Sequence, residues 1–311
     1  MTRLLRSILV VFGISVLVFL IFFATPGTDP AARLGGRGAS PETLAAIRQE
    51  YGLDRPLPVQ YAVMMRRLFV TRDLPSFVNR GQLVVPAVLR AAPVTIALTL
   101  GAAVLWIASG LLIGVIAALR TGTAWDRGAT TLGLIGVSIP VFWLGEMVNL
   151  VTQSRFHAWF PWVPPLGLRA TTPGEWLRSM ILPCLTLAVL YAGIYGRVLR
   201  QGLVQAYAQD YVRTARAKGL TETRILLRHA LRNAWTPVLA LLGLDIGALL
   251  GGGTALVEVV FGLHGLGRLT YDALISLDLA MVMATVLYAA VFVVVSSAVV
   301  DAVQAMLDPR R

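Results

Sequence analysis

The sequence predicts an all-α membrane protein with six transmembrane helices and a folded extracytoplasmic subdomain between the first two. Of the 311 residues, 57% are hydrophobic and 14% charged, with a mean hydropathy of +0.73, more apolar character than a soluble domain needs to fill its core. The apolar residues gather into six blocks of about 17 to 26 residues, matching the roughly 20 that an α-helix needs to cross hydrocarbon. The blocks are apolar on all faces, whereas a membrane β-barrel would alternate over segments of about ten residues.

The blocks run from Ile8 to Ala24, Val94 to Leu119, Ala129 to Val151, Met180 to Leu199, Val238 to Val257 and Leu279 to Val300. The first follows Arg3 and Arg6 as a signal peptide would. Its apolar run exceeds a usual signal core and ends in Phe22-Phe23-Ala24-Thr25-Pro26 without an A-x-A site, which favours an uncleaved span. Residues 1–24 therefore form the N-terminus and first span, 25–93 the extracytoplasmic subdomain, and 94–311 a core of spans two to six. Within 25–93, Ser40-Pro41-Glu42 reads as the N-cap, first residue and first-turn acid of a helix ending near Gly52. Pro56 and Pro58 then precede an amphipathic piece over Val59 to Val70.

Basic residues set the expected orientation. With the N-terminus inside, 14 of the 27 Lys and Arg residues fall in cytoplasmic segments and 13 outside, but nine of those 13 lie between Thr25 and Pro93. That stretch is longer than the roughly 60 residues over which positive charge retains a loop. Both termini are accordingly expected in the cytoplasm. The net charge of +11 is explained by these flanks rather than by nucleic-acid binding. Cys184 is the single cysteine, so neither an internal disulfide nor a thiolate metal cluster is available.

Other absences narrow the function. No G-x-x-x-x-G-K-[ST] string occurs, and Lys218, the one lysine, sits in no phosphate-binding context, so the chain is not an ATPase. His157, His229 and His264 lie in separate segments without metal-ligand spacing, and no nucleophile, base and orienter come together. No catalytic residue, bound cofactor or metal site is expected.

The longest connection between the later spans, residues 200–236, is the most informative. Tyr211 to Lys218 suits a short helix, Gly219 is placed to end it in the left-handed conformation, and Thr221 is placed to cap a second helix from Glu222 to Ala234. On that second helix Arg224, Arg228 and Arg232 recur every four residues, beside apolar Ile225, Leu226, Leu227, Ala230 and Leu231. By periodicity alone the stripe suits anionic lipid heads.

The whole string Asp210-Tyr211-Val212-Arg213-Thr214-Ala215-Arg216-Ala217-Lys218-Gly219-Leu220, followed by Arg228-His229-Ala230-Leu231-Arg232-Asn233-Ala234, resembles the cytoplasmic EAA loop of ABC importer permeases. The match is closest to the dipeptide, oligopeptide and nickel branch, and the loop lies between the fourth and fifth spans, as in that family. Gly52-Leu53-Asp54-Arg55-Pro56-Leu57-Pro58-Val59-Gln60-Tyr61 is similar to the family's first external loop, and Ser138-Ile139-Pro140-Val141-Phe142-Trp143-Leu144-Gly145 to its third span. Glu258-Val259-Val260-Phe261 with Gly265-Leu266-Gly267, and the terminal Leu307-Asp308-Pro309-Arg310, are also similar to the family's pattern.

The resemblance implies the type I importer permease fold in a bacterial inner membrane. Its implied partners are a second homologous permease, two ATPase subunits that carry ATP and Mg, and an extracytoplasmic solute-binding protein. It also implies that Tyr211, Arg213, Thr214, Ala215, Arg216, Lys218, Gly219, Leu220, Arg224 and Arg228 couple the chain to the ATPases, with Gly219 as the turn. Dipeptides or oligopeptides are the expected cargo; nickel or another metal chelate, glutathione and sugars are alternatives on the same scaffold. Arg213-Thr214 replaces a Glu-Ala pair found in many members, and Arg232 stands where a proline is usual outside the peptide branch.

Polar residues in the spans are expected at the bundle interior, a wet cavity or an interface, since lipid exposure is costly. Ser138, Glu146, Asn149 and Asp245 are candidates for the translocation path, with packing or snorkelling as the competing role. Glu146 and Asp245 are acids where the branch usually carries an apolar residue and a neutral amide, which suits a cationic substrate. Gly243, Gly247 and Gly251 form a four-residue repeat suited to close helix packing. A secondary transporter would instead predict inverted repeats and paired intramembrane acids, which the sequence lacks.

Overall fold

The computed structural model describes residues 2–23, 31–32, 40–79, 81–167 and 172–307, so Asp308-Pro309-Arg310 of the terminal motif lies outside the described residues. The described residues are overwhelmingly helical and divide into two compact units, Met1–Thr95 with Gly265–Val294, and Ile96–His264 with Val295–Arg311.

The first unit contains α1 (Thr2–Phe23), α2 (Pro41–Tyr51), α3 (Leu57–Arg66) and α11 (Leu266–Ser276). It also holds the beginnings of α4 (Val84–Leu119) and α12 (Leu279–Leu307). The predicted start and stop of α2 are both present: Ser40 Oγ accepts from Thr43 N at 3.2 Å, Pro41 opens the helix, and Gly52 closes it at φ +65°. The Gly52 and Leu53 amides bond back to the Gln49 and Arg48 carbonyls, the paired bonds of a Schellman turn.

Aromatic packing joins α1 to α3. Phe19 stacks on Phe23 at 5.0 Å, Tyr61 meets Phe19 edge-on at 5.4 Å, and the Tyr61 hydroxyl lies 2.6 Å from Ser15 Oγ. Asp278, 2% exposed, accepts from the amides of Phe77 and Met281 at 3.1 Å each and from the Ser76 hydroxyl. One carboxylate thereby caps α12 and fixes the residue 76–77 loop, which makes its burial affordable.

The second unit is built around α7 (Pro173–Tyr207), with the rest of α4, α5 (Ala124–Ser138), α6 (Val141–Gln153), α8 (Asp210–Ala217), α9 (Glu222–Gly253) and α10 (Ala255–Val260). Small residues set the crossings. A methyl on Gly193 would lie 2.3 Å from the Gly133 carbonyl oxygen, and one on Gly114 would lie 2.8 Å from that of Gly196, so α5 and α4 approach α7 backbone to backbone. At the end of α7, Arg200 clamps Asp126 with two bonds of 2.5 and 2.7 Å, and Asp126 also accepts from the Gly122 amide at 2.9 Å.

Four described helices are individually long and apolar enough to span a bilayer: α4, α7, α9 and the Leu279–Val300 part of α12. The third apolar block departs from a straight span, because α5 and α6 meet at 95° and count as one further span only if taken together. Hydropathy missed this break, whose cause is Pro140: it disfavours helix at Ile139, which is extended at φ −85°, ψ 125°. The first block gives Ile8–Phe23, an apolar helix shorter than those four.

Candidate coupling site

Between the apolar parts of α7 and α9, the chain forms a helix, a tight turn and a second helix. α8 ends where Lys218, Gly219 and Leu220 turn back: the Gly219 amide donates to Arg216 O at 2.9 Å and the Leu220 amide to Ala215 O at 3.2 Å. Those two bonds again make a Schellman turn, and they require a left-handed residue at Gly219, which has φ +74°. A Cβ there would meet nothing within 4 Å, so the demand for glycine comes from the backbone and not from crowding.

A small core holds the turn. Val212, Ala215 and Ile225 are buried, with Tyr207 and Leu220 packed against them. Across the core, Arg216 forms a forked pair with Glu222 at 2.6 and 3.2 Å, its guanidinium lies 5.7 Å from the Tyr207 ring centre, and the Asn233 amide donates to Tyr211 Oη at 2.9 Å. The Glu222 carboxylate raises the already high pKa of Arg216, so Arg216 stays charged.

Tyr211, Arg213, Thr214, Lys218, Gly219, Arg224 and Arg228 are exposed, and the Arg213 side chain is 77% exposed despite a 3.5 Å contact with Asp210. Thr221 occupies the N-cap position without a side-chain capping bond. The second helix does not stop at Ala234: it passes through a π-helical turn at Leu226–Ala230 and continues to a kink at Gly252, whose φ is +121°. Pro237 sits inside it, so the turn runs on in helix into a candidate span, where the sequence reading ended the second helix at Ala234.

The remaining candidate residues are dispersed. Ser138 is exposed and bonds back to Leu134 O at 2.8 Å; Glu146 is exposed on α6. Asn149 is buried and donates to Val260 O at 3.0 Å, fastening α6 to α10. Asp245, half-buried on α9, accepts from the Tyr195 hydroxyl at 2.7 Å. Gly243 is buried against Val300, where a methyl would approach to 2.7 Å; Gly247 is buried and Gly251 exposed in the π-helical turn Leu249–Gly253. Among the described residues no three His, Cys, Asp or Glu groups converge to hold a metal ion.

Sequence reading passed over the contacts of Tyr195 and Tyr207, and it named Asn233 only within the motif string, without its bond to Tyr211. Tyr195 and Asp245 are separated by 50 positions, beyond the reach of any periodicity signal.

Comparison with known proteins supplies an independent line. Residues 110–311 match the model of the binding-protein-dependent transport system inner membrane component, and residues 1–99 match the N-terminal model of such membrane components. A Brucella abortus (strain 2308) relative named as a peptide transport system permease protein is 39% identical over 311 residues, covering 99% of this chain and 96% of the relative. The glutathione transport system permease protein GsiC of Salmonella choleraesuis is 36% identical over 307 residues, covering 99% and 96%. Among solved structures, an inward-facing MetNI methionine ABC transporter chain superposes with a TM-score of 0.55 at 19% identity, over 71% of this chain and 96% of that one, a likeness of fold.

Proposed function

The chain belongs to the family of binding-protein-dependent transport system inner membrane components, and from that premise we propose that it is half of the translocation pathway of an ATP-driven peptide importer, docking separate ATPase subunits through residues 210–232. The observation that carries this reading is the α8–α9 turn. Its backbone is fully organised by a Schellman turn and a small core, while the space around Gly219 is empty and Arg213, Lys218, Arg224 and Arg228 stand exposed around it. A rigid, charged projection continuous with a span-length helix transmits a push from a nucleotide-binding partner to the bundle as rigid-body motion.

In this reading, Tyr211, Thr214, Ala215, Arg216 and Leu220 shape the projection. ATP and Mg are bound on two partner ATPases, a second homologous permease completes the pathway, and an extracytoplasmic solute-binding protein delivers the cargo. Both termini are cytoplasmic, and residues 25–93 face the binding protein's side. Dipeptides or oligopeptides are favoured by the full-length similarity to relatives named for peptide transport; glutathione is the second reading, favoured by the similarity to GsiC.

The test is ATP hydrolysis by the reconstituted complex, with the binding protein loaded in turn with a peptide, glutathione or a nickel chelate. Stimulation by the peptide supports the proposal, stimulation by glutathione or nickel alone reassigns the cargo, and uptake by this chain without an ATPase contradicts it.

A further inference from the structure

The α7–α9 contact contains a carboxylate that the coupling role leaves unused. Asp245 lies about seven residues into the apolar block that starts at Val238, roughly 10 Å of helix rise from its edge. Its one anchored oxygen, Oδ2, accepts from Tyr195 Oη at 2.7 Å. Tyr195 is 1% exposed on α7 and packs against Trp106, with ring centres 5.8 Å apart. The Tyr195 hydroxyl therefore fixes the carboxylate from the bundle side.

The other side of Asp245 is not closed off: the residue is half-buried, and its neighbour Leu244 is 71% exposed. Among the described residues, no Arg, Lys or His side chain forms an ion pair with Asp245. A carboxyl group at this depth is costly against hydrocarbon, so its free edge meets water or a donor from outside this chain.

We infer that Asp245, oriented by Tyr195, is a cation-selecting group of the translocation path, favouring passage of peptides that carry an ammonium or guanidinium side chain. The inference rests on the peptide-importer reading. The hydroxyl uses one lone pair of Oδ2 and leaves Oδ1 to accept from a passing N–H donor. With one hydrogen-bond anchor and no fixed counter-charge among the described residues, the site attracts a cation without a matching internal partner to displace. Tyr195 acts here as a positioning residue.

The test uses the assembled complex with its binding protein and measures competitive uptake of Ala-Lys-Ala against Ala-Gln-Ala. The binding protein is the same for every variant, so a change in the ratio reports the permease. Asp245→Asn is expected to lower the lysine-to-glutamine ratio about tenfold, and Tyr195→Phe about threefold, whereas Asp245→Glu keeps it within about twofold of wild type. Should Asp245→Asn not assemble, the Tyr195→Phe and Asp245→Glu ratios decide the matter. An unchanged ratio in Tyr195→Phe and Asp245→Asn overturns the inference. So does an equal fall for both peptides, the mark of an ion pair with the companion permease. If the wild-type complex hydrolyses ATP but carries neither peptide, the peptide-importer reading fails, and this inference with it.

Discussion

Gly52 and Gly219 close their helices with the same pair of backbone bonds, yet the two turns are finished differently. At Gly52 the chain covers its own turn: Arg55 Cδ lies 3.8 Å from where a Cβ would stand, and the Gln60 amide donates to the Leu53 and Arg55 carbonyls at 3.1 and 2.7 Å. At Gly219 the backbone is equally well ordered, but no atom lies within 4 Å of the Cβ position and the surrounding basic side chains are exposed. Identical local geometry thus serves two ends. One turn is complete within its own chain; the other is a rigid projection suited to a partner.

The largest expected effect separates them directly. An aspartate at either glycine incurs left-handed strain of about 1–2 kcal/mol. Gly219→Asp is expected to abolish coupled uptake, to below about a tenth of wild type on a scale where ~1.4 kcal/mol is tenfold, because the side chain and its charge would enter the space proposed for the ATPase. Gly52→Asp should show a similar drop in unfolding free energy in detergent with uptake retained in the folded fraction. Equal loss of uptake in both variants would erase the distinction.

Next in size is Asp278→Ala in the self-contained region. It removes the α12 cap and leaves the Phe77 amide without that acceptor, at a cost of about 2 kcal/mol in denaturant unfolding. Gln60→Ala, which uncovers the Gly52 turn, should cost about 1 kcal/mol by the same measurement and leave ATP coupling unchanged. Smallest is Arg216→Ala: the pair with Glu222 is exposed, so its removal should leave the denaturant midpoint nearly unchanged, while coupled hydrolysis falls measurably because the turn loses its brace.

Local chemistry was legible in the sequence where a single residue dictates geometry. Ser40, Pro41 and Gly52 bound α2 as expected, and Gly219 takes the left-handed conformation on which the α8–α9 turn depends. Hydropathy located the apolar blocks but not their continuity. Pro140 divides the third into helices meeting at 95°, whereas Pro237 and Pro183 lie within unbroken helices. The outcome at a proline depends on whether neighbouring helices hold the freed carbonyl in place, and a single sequence does not contain that information. Pairings between distant helices were equally hidden: Arg200 with Asp126 and Tyr195 with Asp245 bring together residues 74 and 50 positions apart.

The central proposal is that the α8–α9 turn connects the bundle to ATP bound on partner subunits. The most direct measurement is the number of ATPase subunits that co-purify per copy of this chain, for wild type and for Gly219→Asp, with the melting of each preparation recorded alongside. The prediction is a complex with two ATPases for wild type, and ATPases lost from a Gly219→Asp chain that still melts cooperatively. Retention of both ATPases and full coupled uptake by Gly219→Asp would contradict it.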